Sequence, residues 1–261
     1  KMDLNLKNKI ALITGASKGI GAAIAKTFAA EGVNLYLTAR NIKQLETLKV
    51  ELQKKYSVEV ITLPLDLTEA DSQKILFENC KNINILINNA GDIPSGSLFD
   101  IDEESWRRGW ELKVFGYINL CRGFYPMIKK NGGGVIINNI GNGGEIYDPL
   151  YIAGAAGNSS LMSFTKALGG NSLEDNIRVI GVNPGPVETE RIYKILKNRS
   201  LKLYGDENHV QELLKRYPLG RPAHVREISD LIAFLVSEKS GYTSGTVFTV
   251  DGGISSRSSI I

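Results

Sequence analysis

The chain has 261 residues, of which 43% are hydrophobic and 23% are charged, and its formal net charge is +3. This composition is that of a globular protein, and the small charge without a basic run argues against nucleic-acid binding. Cys80 and Cys121 lie far apart and outside any metal-ligand spacing, which argues against a zinc site or a disulfide framework and fits a cytoplasmic protein. No apolar run approaches the roughly 20 residues that span a bilayer, so we expect no membrane segment.

Apolar segments alternate with helical patterns along the whole chain. Strands are predicted at 10–13, 33–38, 58–65, 83–87, 135–140, 177–182 and 246–250. Helices are predicted over 42–55, after an N-cap at Thr68, over 103–130 with a bend near Pro126, and from Asp148 and Pro149 to Leu168. Because strands that are apolar throughout belong to a parallel sheet covered on both faces, the sequence predicts a doubly wound, Rossmann-type α/β fold. We expect about seven strands in a single domain over residues 1–261.

A glycine turn lies between the first strand and a helical pattern marked by Ile24 and Phe28. Its spacing is Gly-x-x-x-Gly-x-Gly, which differs from the Gly-x-Gly-x-x-Gly of the general dinucleotide fingerprint and, taken alone, also fits an ordinary tight turn. Such a turn brings backbone N–H groups and the positive end of a helix dipole to a phosphate. The residues expected to contact an anionic cofactor here are Gly15, Ser17, Lys18, Gly19, Ile20 and Gly21.

Further short motifs follow the turn in a fixed order. They are Asp66-Leu67, Asn88-Asn89-Ala90-Gly91, the stretch from Asn183 to Thr189, and Asp251-Gly252-Gly253. Each alone also fits a turn or a helix cap, but in this joint order over residues 10–253 the chain resembles the short-chain dehydrogenase/reductase family. The resemblance implies a nicotinamide cofactor contacted by a second group of residues, namely Asp66, Leu67, Asn89, Ala90, Gly91, Asn158, Pro184, Gly185, Val187 and Thr189.

The charge near the end of the second strand favours NADP over NAD. A carboxylate there would bind the ribose 2′-hydroxyl of NAD and repel a 2′-phosphate. The stretch 37–40 contains no acid and ends in Arg40, and the next acid is Glu46. Arg40 can fork onto a phosphate, and Lys18 adds a second cation. The alternative is that both are solvated surface charges.

The chain departs from the family at the catalytic residues. Members that reduce carbonyl groups normally carry an Asn, Ser, Tyr and Lys tetrad. Aligned from the fifth strand and from the sixth helix, the corresponding residues here are Lys113, Gly141, Gly154 and Asn158. The pairs Tyr125 with Lys129 and Tyr193 with Lys197 also satisfy Tyr-x-x-x-Lys, but they lie on other elements, so we do not assign them to the site.

Tyr151, Lys113 and Asn158 are the candidate replacements for the tetrad. Tyr151 lies three residues before Gly154 and so on the same helical face, although helical side chains lean toward the N-terminus, away from the usual site. Lys113 could place its ammonium where the missing lysine acts and lower the pKa of a nearby phenol, while Asn158 could bond the ribose. In the alternative, Tyr151 only packs and Lys113 pairs with a nearby acid.

These features predict an NADP-dependent oxidoreductase that moves a hydride between the nicotinamide and a small carbonyl or alcohol substrate. The alternatives are a non-catalytic NADP-binding sensor or assembly protein, and an isomerase or dehydratase that keeps NADP as a structural cofactor. The stretch 190–225 is expected to form a substrate lid over the edge of the sheet. The family resemblance further implies a homo-oligomer, commonly a tetramer.

Overall fold

Seven apolar runs form the strands of one parallel sheet in the computed structural model, which describes residues 2–257. They are β1 (Ile10–Thr14), β2 (Asn34–Ala39), β3 (Val60–Pro64), β4 (Ile85–Asn88), β5 (Gly134–Asn139), β6 (Ile177–Pro184) and β7 (Thr246–Val250). Each predicted strand matches to within two residues at either end. Residues 1 and 258–261 of the predicted domain lie outside the described part.

The strand order is β3-β2-β1-β4-β5-β6-β7. The chain moves outward from β1 to β3 and then returns to place β4 on the other side of β1. The carboxyl ends of β1 and β4 therefore flank the point where the order reverses, which is where ligands bind in open α/β sheets. The predicted doubly wound α/β fold is confirmed.

Helices connect the strands and cover both faces of the sheet. They are α1 (Gly19–Ala30), α2 (Ile42–Lys55), α3 (Ala70–Asn79), α4 (Glu103–Trp110), α5 (Gly116–Lys130), α6 (Ile152–Gly169), α7 (Glu190–Tyr204), α8 (Val210–Leu214) and α9 (Val225–Val236). Ala11 and Ile13 of β1 pack with residues of α1, α2 and α9, whereas Leu12 packs with residues of α3 and α5. Because successive side chains of a strand enter opposite cores, the strands are apolar throughout.

The helix α3 begins later than the sequence predicts. Its N-cap is Glu69, and the first helical residue is Ala70. The backbone N–H and the Oγ1 of Thr68 instead donate to Oδ1 of Asp66, at 3.0 and 2.7 Å. The prediction of Thr68 as N-cap was therefore wrong, because its side chain completes an Asp turn before the helix.

The helix α6 also begins later, at Ile152 rather than at Asp148 and Pro149. The Asp148 side chain accepts the backbone N–H of Leu150 at 2.8 Å, which is a local turn and not a helix cap. The Leu150 carbonyl accepts the backbone N–H of Gly96 at 2.7 Å. This tertiary contact keeps the chain extended up to Tyr151, so the predicted helix start was wrong.

The long helical segment 103–130 contains a π-helical turn at Glu111–Phe115, between α4 and α5. The helix α5 continues past Pro126 to Lys130. The departure from α-helical geometry thus lies in the turn that carries Lys113. Turns of this kind inside helices are frequent at functional sites.

The stretch 190–225 is a small helical layer at the carboxyl edge of the sheet. Leu196 of α7 packs with Leu213 and Leu214 of α8 in a cluster separate from the two main cores. The backbone N–H of Glu188, just before α7, donates to the Ala223 carbonyl at 2.8 Å, at the other end of the stretch. The layer is therefore anchored at both ends beside the glycine turn.

Candidate functional site

The glycine turn after β1 packs directly against the segment after β4. Gly15 has a φ of +64°, and a Cβ there would lie 2.9 Å from the Cα of Ala90. A Cβ on Gly21 would lie 2.2 Å from the carbonyl oxygen of Gly15. Both positions therefore require glycine for this close approach. The result is a backbone cradle at the start of α1, as a phosphate site requires.

Thr14 joins the turn to the segment after β4. Its Oγ1 accepts the backbone N–H groups of Asn89 and Ala90, at 2.9 and 3.0 Å. The Nδ2 of Asn89 donates to the Thr14 carbonyl at 3.0 Å, and Asn139 of β5 donates to Oδ1 of Asn89 at 2.8 Å. These bonds hold Asn89, Ala90 and Gly91 beside the turn. Sequence reasoning missed Thr14 as the residue that holds them, since its only signal is its place at the end of β1.

The loop after β6 closes the other side of the turn. A Cβ on Gly19, whose φ is +57°, would lie 3.3 Å from Cγ2 of Thr189. A Cβ on Gly185 would lie 2.6 Å from Cβ of Asp251, so the closing turn of the chain supports this loop from behind. The loop and its strand end contain the four predicted residues Pro184, Gly185, Val187 and Thr189.

Arg40, Lys18 and Asp66 are the charged residues that the sequence assigns to the cofactor. Burial opposes the ionisation of Asp66, but hydrogen bonds from Thr68 and the charge of Arg40 outweigh it and hold the pKa of this carboxyl below its usual range. Arg40 is exposed. Lys18 pairs with Glu190 at 3.0 Å, and both side chains are largely exposed. Because an exposed pair of this kind is weak, it leaves Lys18 available to an anionic ligand. Other predicted cofactor residues are Ser17 and Ile20, both half-buried, and Leu67, which is buried.

The ring of Tyr151 fills the space that a side chain at Gly154 would occupy. A Cβ on Gly154 would lie 1.9 Å from Cζ of Tyr151. Tyr151 precedes α6, with a φ of −138° and a ψ of 36°, so the lean of helical side chains does not apply to it. The Tyr151 side chain therefore does not lean toward the N-terminus, away from the site. Its ring extends forward over the first turn of α6.

Gly141 and Gly143, which follow β5, form a glycine wall on the other side of the Tyr151 ring from Gly154. Cε1 of Tyr151 lies 3.0 Å from the position of a Cβ on Gly143. The Nδ2 of Asn158 lies 3.2 Å from the corresponding positions on Gly141 and Gly143. Asn158 is 2% exposed, and within residues 2–257 its Oδ1 has no hydrogen-bond partner. Tyr151 and Asn158 therefore meet at this glycine wall, and the amide oxygen remains free to accept a hydrogen bond.

Lys113 enters the site from the π-helical turn. Its alkyl chain passes Gly91, where a Cβ would lie 2.8 Å from Cδ of the lysine. Its Nζ donates to the carbonyl oxygen of Ile140, at the end of the strand β5. Burial, together with the charge of Arg191, lowers the pKa of Lys113 to about 7. The amine thus binds a carbonyl group rather than the acid considered from the sequence.

Arg191 is a site residue that sequence reasoning missed. It lies in the first turn of α7, and its Nη2 donates to the Ile93 carbonyl at 3.2 Å. Its Nη1 lies 3.6 Å from Oδ1 of Asp92. Burial raises the pKa of Tyr151, and although the charge and hydrogen bonding of Arg191 act against it, the pKa stays above its usual value. The groups whose charges act on this phenol are Arg191 and Asp92, and the effect expected of Lys113 stays a prediction.

The two other Tyr-x-x-x-Lys pairs have structural partners. Tyr125 donates to Asp175 at 2.8 Å, and Lys129 pairs with the same carboxylate. Tyr193 donates to Glu188 at 3.3 Å. Their hydroxyl groups are thus engaged on neighbouring acids.

A family model described as Enoyl-(Acyl carrier protein) reductase matches residues 15–255. The Dehydrogenase/reductase SDR family member 4 of Caenorhabditis elegans is 30% identical over 258 residues, which cover 96% of this chain and 96% of the relative. The chain belongs to the short-chain dehydrogenase/reductase family. This short-chain dehydrogenase/reductase is accordingly an oxidoreductase, as the sequence predicts.

Solved structures of other family members have the same fold. The L-sorbose reductase of Gluconobacter frateurii, complexed with NADPH and L-sorbose, has a TM-score of 0.89 and 32% identity over 97% of this chain and 98% of the reductase. A 7α-hydroxysteroid dehydrogenase complexed with NADH and 7-oxo glycochenodeoxycholic acid has a TM-score of 0.86 and 27% identity over 96% of each chain. Both nicotinamide cofactors therefore occur on closely similar folds.

Two kinds of feature are absent from residues 2–257 of this short-chain dehydrogenase/reductase. No helix among these residues is both long and apolar enough to cross a membrane. The same residues contain no group of three or more His, Cys, Asp or Glu side chains placed to hold a metal ion.

Proposed function

We propose that this protein is an NADP(H)-dependent oxidoreductase for a small carbonyl or alcohol substrate, with Tyr151 as the proton donor. The observation that carries the proposal is the Tyr151 ring, which lies where the side chain of Gly154 would be. In the family alignment, Gly154 is the position of the usual tyrosine. The phenol ring of Tyr151, three residues earlier in the chain, thus occupies the position where the side chain of the usual tyrosine would begin.

The residues of the glycine cradle fit a dinucleotide. The glycines of the turn allow it to pack closely against Ala90 and Thr189, and this places the turn at the N-terminus of α1, where backbone N–H groups favour a phosphate. The Oδ1 of Asn158, which has no hydrogen-bond partner among residues 2–257, is a suitable acceptor for a ribose hydroxyl. We assign the 2′-phosphate of NADP to Arg40 and Lys18, in keeping with the NADPH complex of the related L-sorbose reductase.

Fluorescence titration with NADPH and NADH tests the cofactor assignment. We expect NADPH to bind more tightly, since each charged phosphate contact contributes about 1.5–3 kcal/mol. Arg40→Ala should remove much of this preference, whereas Lys54→Ala, an exposed lysine on α2, should leave it intact. Equal affinities of the parent protein for the two cofactors would contradict the assignment.

In the proposed reaction, bound NADPH supplies the hydride, and the protein supplies orientation and a proton. Tyr151 gives its phenolic proton to the substrate oxygen as that oxygen becomes an alkoxide. Lys113, whose pKa of about 7 suits proton exchange at neutral pH, supports the site from the side of Ile140. The 190–225 layer would cover the substrate and exclude water.

A panel of ketones, ketoses, acyl thioesters and alcohols, followed at the NADPH absorbance, tests the activity. On any substrate found, Tyr151→Phe should lower turnover by about tenfold or more, because a positioned general acid contributes roughly 10²–10⁴-fold. NADPH affinity should be nearly unchanged. Tyr125→Phe is the matched control, since that hydroxyl binds Asp175. Full activity in Tyr151→Phe would contradict Tyr151 as donor, and tight NADPH binding without turnover of any substrate would favour the non-catalytic alternative.

We further propose, from the family resemblance, that the protein acts in the cytoplasm as a homo-oligomer, commonly a tetramer in this family. The exposed Phe115, which leads into α5, supports assembly through the long helices.

A further inference from the structure

Tyr151 and Arg191 are held by one short segment, the stretch 91–96 after β4. On one side, Gly96 pairs with Tyr151 in an isolated β-bridge, and its N–H donates to the Leu150 carbonyl at 2.7 Å. On the other side, Arg191 reaches the carbonyl groups of Gly91 and Ile93, at 3.5 and 3.2 Å. A phenol from the start of α6 and a guanidinium from the start of α7 are thus brought together on the same scaffold.

From this placement we propose that Arg191 is the positioning residue that makes Tyr151 an effective proton donor, by stabilising the phenolate that forms when the proton leaves. The proposal rests on the role of Tyr151 stated under Proposed function. It assigns to Arg191 of α7 the stabilisation of the phenolate that the usual lysine provides in the family. The charges that act on the Tyr151 phenol come from Arg191 and Asp92, whereas the Nζ of Lys113 donates to the Ile140 carbonyl.

The charged and titratable groups around the Tyr151 phenol come from three elements. Arg191 on α7 favours the phenolate, and Asp92 in the segment after β4 opposes it. Tyr117 on α5 also faces Tyr151, but its hydroxyl donates to the Asn139 carbonyl at 2.8 Å and is buried. Arg191 is therefore the favourable charge of this set. It is also about half exposed, with 47% of its side-chain surface accessible, so it remains hydrated and charged.

In the reductive direction the phenolic O–H bond of Tyr151 breaks and an O–H bond forms on the substrate oxygen, while the hydride that reduces the carbonyl carbon comes from the reduced nicotinamide. The electron pair of the broken bond stays on the Tyr151 oxygen as a phenolate. A neighbouring guanidinium stabilises that charge without reorganising, and water then returns the proton.

A double-mutant cycle separates this role from a structural one. We expect Arg191→Gln to lower kcat/KM by about tenfold or more, and Arg191→Lys, which keeps the charge, to recover part of the loss. In the Tyr151→Phe background, Arg191→Gln should cause no further loss, because the residue acts through the phenol. Arg199→Gln, an exposed arginine two turns further along α7, is the matched control and should behave like the parent.

A second readout needs neither substrate nor cofactor. The Cζ resonance of Tyr151 in protein labelled with [¹³C]tyrosine, assigned by its loss in Tyr151→Phe, reports the ionisation of the phenol directly. We expect its apparent pKa to be higher in Arg191→Gln than in the parent and unchanged in Arg199→Gln. The acidic limb of the pH profile for alcohol oxidation, the direction in which the phenolate accepts the proton, should move in the same direction. Circular dichroism of each variant checks that the fold is retained.

The outcomes are distinguishable. If Tyr151→Phe is impaired while Arg191→Gln is fully active, or if Arg191→Gln lowers the rate equally with and without the Tyr151 hydroxyl, the assignment of Arg191 is overturned and that of Tyr151 stands. An unchanged Tyr151 titration in Arg191→Gln also overturns it. If Tyr151→Phe retains full activity on a turned-over substrate, the donor assignment fails, and the role of Arg191 fails with it.

Discussion

The side-chain amine of Lys113 is buried, and burial makes its positive charge unfavourable. Burial and the nearby guanidinium of Arg191 lower its pKa from 10.5 to about 7, while its Nζ still donates to the Ile140 carbonyl. A neutral amine keeps its N–H donors, so this hydrogen bond does not require the charge. Above about pH 7 the folded protein therefore releases a proton that the unfolded chain keeps until about pH 10.5.

This difference predicts a pH-dependent contribution to stability. Between about pH 7 and 10.5 the unfolded chain binds more protons at this group than the folded protein, so the free energy of unfolding should rise with pH over this window. Urea unfolding of the parent and of Lys113→Met at several pH values measures it. The parent should gain stability relative to Lys113→Met as the pH rises. Lys194→Met, an exposed lysine on α7, is the control, and a difference from Lys113→Met that is constant with pH would contradict the prediction.

The start of α6 decides whether Tyr151 reaches the site. Gly154 lies in the first turn of this helix, and an added Cβ would lie 1.9 Å from Cζ of Tyr151 and 2.2 Å from its Cε1. No side chain can coexist with the ring in this position. A side chain at residue 154 would therefore force the Tyr151 ring away from the glycine wall after β5.

We therefore expect Gly154→Ala to lower turnover by about tenfold or more, a loss like that of Tyr151→Phe, with the fold retained. The matched control is Gly170→Ala at the other end of α6, where the added Cβ would meet only ordinary contacts of 3.4 and 3.5 Å. Steady-state kinetics together with circular dichroism measure both effects. Parent-like turnover in Gly154→Ala would show that the position of the Tyr151 ring does not matter.

The regular elements were predictable because their signals are local. The apolar runs of β1 to β7 fixed the strands, and Leu45, Leu48 and Leu52 on one face of α2 fixed that helix at Ile42–Lys55. The start of α6 was missed because a tertiary hydrogen bond, from Gly96 to Leu150, outweighs the local capping signal of Asp148. A local helix-capping preference is overridden where a backbone group distant in sequence forms a hydrogen bond with the same segment.

At the scale of the whole molecule, the sheet assembles the site from distant parts of the chain. Arg191 contacts carbonyl groups 98 and 100 residues away in sequence, and Thr14 binds backbone groups 75 and 76 residues away. The motifs assigned to the cofactor were recognisable because each lies at the end of a strand or just after it. The effect of Arg191 on the Tyr151 phenol has no local sequence pattern, since it depends on how α7 places Arg191 against the segment after β4.

Two features of the outer surface favour association between copies of the chain. Phe115, which leads into α5, is 48% exposed, and β7 is an outermost strand of the sheet. An exposed aromatic side chain on a long helix and an unpaired strand edge are features that association would cover. The family resemblance implies tetramers that form through the long helices and the C-terminal strand.

We therefore expect light scattering at micromolar concentration to give a mass that is a multiple of 28.6 kDa. Phe115→Lys should reduce that mass, because a lysine placed in an apolar interface must be desolvated. Ile42→Lys, a substitution of a similarly exposed apolar residue at the start of α2, should not, since α2 packs beside β2 and β3, at the opposite end of the sheet from β7, and in a different core from α5. A parent mass of 28.6 kDa would contradict the assembly itself. An unchanged oligomer in Phe115→Lys would instead exclude this part of the long helices as the interface and leave the edge of β7 as the surface to test.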